Sequence, residues 1–458
     1  MDLRGLGQPA SGEVTITGKD PVLSTQFKIG ETCATVVGAI GVAVNDIWEQ
    51  KTGRRQQAEA DVRHAAAALR STQLLYHMGP QGQFVPSPET PSMLHMRTIT
   101  QPWPTRDGRW FLPHFNLPHL RDRVLGVLKC EPTPEAVSGA IAKWDALDLE
   151  AAIAEARACG AMVRSNAEWL DHPHGWMLAN KPLVEIFKIG DSDPEPMPEG
   201  PRPLSGIRVL DQTRILAGPI AARTLAENGA DVLMVTASHL PQVPEHVRDT
   251  SHGKRSCFLD LANPEENAKL RDLARTADVF SQGYRPGIMD RHGFSPEQVA
   301  AERPGIIYLS ISCYGADGPF SERAGWEQLA QTVTGICQEG LPDRPALLPA
   351  AACDYTTGYL GAYGTLLALA RRAREGGSYH VRVSLCQSAM YIYRQGKVAC
   401  DNPDLDVTPD DLKRMHVRSD PAFGPILHLG PVLNLSETRP HWERPTPVLG
   451  ADRPEWLA

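Results

Sequence analysis

Residues 211–235 read DQTRILAGPIAARTLAENGADVLMV. One apolar run leads into Ala217-Gly218-Pro219, a helix-forming stretch follows, and a second apolar run closes the unit. That is strand, turn, helix, strand, the building block of a parallel sheet. The turn brings backbone N–H groups to the helix start, where an anionic ligand can bind. No G-x-G-x-x-G is present, so a dinucleotide fingerprint is not supported, and an ordinary βα turn reads equally well. The alternation continues outward, with strands expected at 207–210, 232–235, 279–281 and 306–310 and helices at 218–228, 264–276 and 296–302. The expected fold class is α/β, an open parallel sheet with helices on both faces.

The same pattern runs on through residues 349–386, PAAACDYTTGYLGAYGTLLALARRAREGGSYHVRVSLC. Asp354 stands just before a helical stretch in which Gly358, Gly361 and Gly364 recur every third residue. Each glycine costs a helix about 1 kcal/mol relative to alanine, so close approach by a backbone or a ligand is the expected reason. The stretch turns basic at Arg371, Arg372 and Arg374 and stops at Gly376-Gly377, as dipole and capping rules ask. A strand is expected at 379–385. Asp354 at a helix start is stabilised as the anion, which serves as a cap or as a nucleophile toward an activated carbonyl.

Other segments carry candidates with plainer alternatives. Lys254 and Arg255 in HGKRS precede an apolar run and are placed to meet phosphates, or to be a solvated pair. QGYRPGIMDRHG offers Tyr284, Arg285 and Arg291 around a proline-started helix. SCYGADGPFSERAGWEQLAQTVTG is a glycine-rich loop entering a helix whose first turn holds Glu327, a second site carboxylate or a cap. The histidines show no metal-ligand spacing, and no metal site is expected. Cys353 has no histidine near it in sequence to activate its thiol.

Length and composition bound the rest. A chain of 458 residues leads to an expectation of about three domains. The formal charge of −8 argues against nucleic acid as the main partner. No apolar run approaches the ~18 residues of a membrane span, and the first residues lack a secretory pattern. Nine scattered cysteines without C-x-x-C fit reduced thiols, so a cytoplasmic location is expected. In the N-terminal half, helices are expected at 32–49, 61–76, 117–128 and 134–158, a loop at 79–104, and a hairpin at Asp107-Gly108. Proline occupies five of the thirteen positions 191–203, which marks a boundary. A shift of 323 lays Gly38, Ala39, Gly41 and Gly53 on Gly361, Ala362, Gly364 and Gly376, and Glu31 on Asp354. The N-terminus therefore reads as a partial copy of the Asp354 segment, lapsed at Glu31.

Taken in order, PLSGIRVLDQTRILAGP, NGADVLMV, GKRSCFLDL, ADVFSQGYRPGIMDRHGFSPE, PGIIYLSISCYGADGPF, GWEQLAQTVTG and the Asp354 segment resemble the family III CoA-transferases, the CaiB/BaiF type. That group includes formyl-CoA transferase, carnitine CoA-transferase and the α-methylacyl-CoA racemases. The resemblance covers about residues 203–386 in the family's order. TRDGRW and the helices after it resemble the small domain, which here comes first, so the order looks permuted. The layout expected is a helical partial repeat at 1–80, a small α+β domain at 81–200, a Rossmann-like CoA-binding catalytic domain at 201–395 and a tail at 396–458. The resemblance implies Asp354 as the nucleophile and Glu327 as an acidic residue of the transfer. It also implies contacts to CoA from the Ile215–Leu216–Ala217 turn, Tyr284 and Arg291. Lys254, Arg255, Leu259 and Gly283 complete the expected CoA-binding set. Leu216 stands where formyl-CoA transferase has a glutamine, Ser238 near where an arginine is usual, and Trp326 where racemases carry a histidine. The function implied is transfer of CoA from an acyl-CoA to a carboxylic acid through an aspartyl intermediate, with acyl-CoA as substrate, no permanently bound cofactor, and a homodimer. The alternatives are an acyl-CoA racemase and a non-catalytic acyl-CoA-binding protein.

Overall fold

The computed structural model describes residues 2–457. A seven-stranded sheet organises it, in the spatial order Lys254–Phe258, Asp231–Thr236, Arg208–Gln212, Val279–Gln282, Ile307–Ser312, Ser378–Ser384, Glu185–Gly190. The first six strands are parallel and the last is antiparallel. The inner strands are buried because helices cover both faces, which is why they read as continuous Val, Ile and Leu runs. The fold is thus α/β with an open, mostly parallel sheet. The chain runs outward one way from Arg208–Gln212, then returns to its other side at Val279–Gln282. The carboxyl ends of these two strands form the switch point where such sheets place ligands.

Helix Ala352–Glu375 packs on the sheet beside helix Ala217–Glu227. Its glycines explain how closely. A Cβ on Gly358 would sit 2.5 Å from the Ala217 carbonyl oxygen, and one on Gly364 would sit 2.6 Å from Val381 Cγ1. Backbone approach, one of the two reasons expected from sequence, is found at Gly358, whereas at Gly364 the close neighbours are the side chains of Val381 and Val184.

The N-terminal segment repeats this arrangement. Helix Ile29–Thr52 has 24 residues, as does Ala352–Glu375, and a shift of 323 superposes their first and last residues. The same shift carries the last residue of strand Ala58–Asp61 onto that of Ser378–Ser384, and the first of helix Val62–Ala68 onto that of Leu385–Arg394. Even a contact recurs: Gly41 meets Ala58, as Gly364 meets Val381. The two long helices pack on each other.

Between the copies lies a helical unit. A small antiparallel sheet of Trp103–Pro104, Trp110–Pro113 and Gly160–Met162 supports helices Pro118–Leu128, Pro134–Ile141 and Ala146–Glu155. Phe111, Val124, Leu149 and Ile153 form part of its own core. Several sequence expectations shift here. The stretch 79–104 is not all loop. Pro91–Ile99 is a helix, with Thr90 as its N-cap and Pro91 in its first turn. The helix expected over 61–76 stops at Ala68, and that over 134–158 divides before Ala146. The hairpin at Asp107-Gly108 has a loop longer than two residues, since Pro104 pairs with Trp110.

The C-terminal segment touches the N-terminal copy and the edge of the large sheet. Asn434–Leu435 pairs with Ala58–Asp61, while Asp452 accepts from the Ser256 N–H at the edge of the large sheet. Among the described residues, no helix is long and apolar enough to cross a membrane.

Candidate active site

Asp354 lies in the first turn of helix Ala352–Glu375, 8 % exposed. Glu327 opens helix Glu327–Thr334 and points across to the Asp354 helix. Its Oε2 accepts from the Asp354 N–H at 2.5 Å, and its Oε1 from the Cys353 N–H at 3.1 Å and Gln331 Nε2 at 2.6 Å. Glu327 therefore caps a helix other than its own. Gln331, one turn along, locks that carboxylate and accepts from the Leu348 N–H at 2.8 Å.

Two carboxylates this close cannot both ionise easily. Burial, then the Glu327 charge, pushes the Asp354 carboxyl well above the usual range, while an Ala217 N–H pulls the other way. Burial also raises Glu327, opposed by its three donors. Both carboxyls are thus raised, and Asp354 lacks the set of donors that opposes the rise at Glu327. Burial raises the Cys353 thiol too, and the nearby Glu327 adds to it, so the thiolate is disfavoured.

Asp354 and Glu327 border a cavity of about 420 Å³. Its walls include Ile215, Leu216 and Trp326, Thr72 and Gln73 after the N-terminal copy, and Met93 and Arg97 from helix Pro91–Ile99. Ile215 has φ of +76°, a left-handed conformation that is costly for a β-branched residue. The strain falls at the βα turn, next to the Ala217 amide that faces Asp354. His114 stacks on Trp326 at 5.2 Å and bonds Gln328 through Nε2 at 3.0 Å.

A second groove, about 460 Å³, follows the switch point. Gly283 and Tyr284 line it with Gln212, and Ile215 and Trp326 line both this groove and the Asp354 cavity. The structure thus gathers Ile215, Leu216, Ala217, Gly283, Tyr284, Glu327 and Asp354 along one path. Four expected contacts lie elsewhere. Lys254 is fully buried, its ammonium 2.9 Å from both Asp211 Oδ2 and the Pro219 carbonyl oxygen, so it anchors the sheet to helix Ala217–Glu227. Arg255 pairs with Asp231 at 3.1 Å and donates to the Glu455 carbonyl. Leu259 is a core residue, and Arg291 is exposed, with Nε donating to the Gly287 carbonyl at 2.9 Å. A basic pair before a strand does not reveal which face each residue takes, and here both are spent on carboxylates of the sheet.

Sequence reading missed two features. Ser71 Oγ donates to Asp249 Oδ2 at 2.5 Å and lies 2.8 Å from the Tyr355 hydroxyl, tying the segment before Thr72 to the residue after Asp354. Arg123 and Arg157 reach the second groove from the helical unit. Both depend on contacts between residues far apart in the chain, which no local pattern signals.

Among the described residues, no group of three or more histidine, cysteine or acidic side chains is placed to hold a metal ion. The family model described as CoA-transferase family III matches residues 204–401. An acyl-CoA transferase of Gibberella moniliformis is 31% identical over 385 residues, covering 76% of this chain and 67% of its own length. The acetyl-coenzyme A transferase nodX of Hypoxylon pulicicidum is 36% identical over 321 residues, 64% of this chain and 54% of its own. Among solved structures, a CAIB/BAIF family protein from Brucella suis is 31% identical, with 43% of this chain and 56% of that one covered and a TM-score of 0.40. The chain spans about half to two thirds of the length of the curated relatives it matches. With the Asp354 segment and the strand–turn–helix units in the family's order, the chain belongs to CoA-transferase family III.

Proposed function

We propose that the protein transfers CoA from an acyl-CoA to a carboxylic acid, with Asp354 as the covalent carrier. The observation that carries this is a buried aspartate on the wall of a cavity, held by the Glu327 cap and faced by the Ala217 N–H. Relatives named as succinyl-CoA–L-malate and succinyl-CoA:glutarate CoA-transferases support the reaction class.

Ionised Asp354 attacks the thioester carbonyl; the C–S bond breaks, leaving a mixed anhydride and CoA thiolate. The thiolate attacks the side-chain carbonyl of Asp354, expelling the donor carboxylate and leaving an aspartyl-CoA thioester. The acceptor carboxylate attacks that thioester and displaces thiolate, forming a second anhydride. The thiolate takes the acceptor acyl group and frees Asp354. Each step passes charge to an oxygen beside the Asp354 helix start, where the Ala217 N–H donates. Glu327 fixes the backbone of that turn, so the carboxylate stays in place as its bonding changes.

The test is intact-protein mass spectrometry after mixing with acyl-CoA. The expected result is a hydroxylamine-sensitive adduct on Asp354, absent in Asp354→Ala. Transfer that survives Asp354→Ala overturns the reading.

A further inference from the structure

Four buried polar side chains meet behind the wall of the Asp354 cavity: Ser71, Arg223, Asp249 and Tyr355. None of them lines the cavity, yet each belongs to a segment that does. Ser71 precedes Thr72 and Gln73. Asp249 is in helix Pro244–Thr250, which also carries Glu245 and His246. Arg223 is in helix Ala217–Glu227, which follows Ile215 and Leu216, and Tyr355 follows Asp354.

The hydrogens of the cluster can be assigned. Asp249 Oδ2 accepts from Arg223 Nη1 at 2.9 Å and from Ser71 Oγ at 2.5 Å. A carboxylate paired with an arginine only accepts, so the single Ser71 hydrogen is spent there. The Tyr355 hydroxyl, 2.8 Å from Ser71 Oγ, must then donate to it, and its own oxygen accepts from the Thr72 N–H at 3.3 Å. Burial raises the Tyr355 phenol, which keeps that hydrogen in place. The chain of bonds runs one way, from Thr72 through Tyr355 and Ser71 to the Asp249–Arg223 pair. The Ala351 N–H adds a second tie, to the Leu69 carbonyl at 3.0 Å.

A buried ion pair is a poor source of stability, and Asp249 Oδ1 has no hydrogen-bond partner among the described residues. What the cluster supplies is geometry, since four segments of the cavity wall are joined through it. The N-terminal copy lacks this latch. A shift of 323 lays Thr32 on Tyr355, and Thr32 Oγ1 donates to the Lys28 carbonyl at the start of its own helix, at 2.6 Å.

We infer that Tyr355 and Ser71 are positioning residues for Asp354: their hydroxyls, anchored on the Asp249–Arg223 pair, hold the first turn of its helix against the other three segments. This rests on reading Asp354 as the covalent carrier. Without the latch the carboxylate keeps its Glu327 cap but loses its aim at the thioester carbonyl, where a misplacement of about 1 Å costs roughly a hundredfold in rate.

The test is the single-turnover rate constant for acylation of Asp354 by acyl-CoA, followed by intact-protein mass spectrometry. A rate constant does not depend on the fraction of molecules folded, so a merely structural role would lower the amplitude alone. Tyr355→Phe, which keeps the ring, and Ser71→Ala are each expected to lower the rate constant about ten- to a hundredfold, with CoA affinity by calorimetry within about twofold. The double variant is expected to lose no more than the worse single one, because both break the same latch. Thr32→Val, at the matching position of the copy, is expected to leave the rate constant unchanged. A rate constant within about twofold of the unaltered protein in Tyr355→Phe, a loss of amplitude alone, losses that multiply in the double variant, or an equal loss in Thr32→Val overturns the inference. So does a Tyr355→Phe protein that fails to fold, since the cluster would then be a requirement of folding. The two readings fail separately: no adduct in the unaltered protein sinks the catalytic one, and an adduct formed at full speed in Tyr355→Phe sinks only the latch.

Discussion

Two helix starts in this molecule are built alike and behave differently. At Asp354, the Glu327 carboxylate accepts from the N–H groups of Cys353 and Asp354. At Glu31, the Asp20 carboxylate accepts from the N–H groups of Gly30 and Glu31. The helices have equal length, and Glu31 falls on Asp354. Yet Asp354 is buried against a cavity, and the Glu31 side chain is 35% exposed with Lys28 3.5 Å away. The difference traces to what covers the first turn. Gly358 lets helix Ala217–Glu227 lie across the Asp354 helix, bringing the Ala217 amide with it, whereas the matching position in the copy is Thr35, exposed to solvent. A capped carboxylate at a helix start is therefore architecture. On the proposed reaction, its chemistry comes from the covering second helix, which removes water and supplies a donor where charge will develop.

The largest effect expected is on transfer itself. Asp354→Asn should lower the rate by about 10⁴-fold or more, and Glu31→Gln by less than about twofold, in a steady-state assay of product acyl-CoA. A large loss in Glu31→Gln would break the distinction between the two starts.

The pair at Asp354 should show in the pH profile. Its carboxyl is raised and must ionise to attack, so kcat/KM is expected to rise with pH through a limb above the ordinary carboxylate range. Glu327→Gln removes the like charge and should move that limb to lower pH, with kcat down by about tenfold from the weakened cap. A limb that stays in place, or moves up, would show that Glu327 does not set the ionisation of Asp354.

Stability should change in the opposite sense from activity. A carboxyl raised on folding contributes stability below its unfolded value, and this is lost as pH rises through the folded one. Asp354→Asn is therefore expected to stabilise the protein by on the order of 1 kcal/mol at alkaline pH and by less in acid, read from denaturant midpoints.

The smallest pair of effects concerns packing. Gly358→Ala forces a Cβ to within 2.5 Å of the Ala217 carbonyl oxygen and should cost about 1–3 kcal/mol, with a loss of kcat as the turn shifts. Thr35→Ala, its counterpart, should be within about 0.5 kcal/mol of neutral. Equal penalties would mean that the covering helix is not what separates the two sites.

Most of the large sheet was legible because its strands and helices carry strong local patterns, as in residues 211–235. The Asp354 position and the copy at Glu31 were legible too, through glycine spacing and a capping carboxylate. The capping of the Asp354 helix by Glu327 was not, since a first-turn glutamate reads as a cap of its own helix, and only packing turns it toward the next one. Lys254 and Arg255 misled for a related reason: alternation along a strand shows that two residues face opposite sides but not what awaits each. Arg123 and Arg157 lie on a unit whose position over the groove is a tertiary fact.

The duplicated helix start also bears on how this chain can change over generations. Read as a lapsed copy, the N-terminal segment is free to drift at the carboxylate but not at its cap. Asp20, 4 % exposed and bonded to the first turn, stays under selection through folding, while Glu31 can be exchanged for other polar residues. In sister sequences, substitutions at 31 should be frequent where those at 20 are rare. On the proposed reaction, in which Glu327 caps and Asp354 attacks, both 327 and 354 should be fixed.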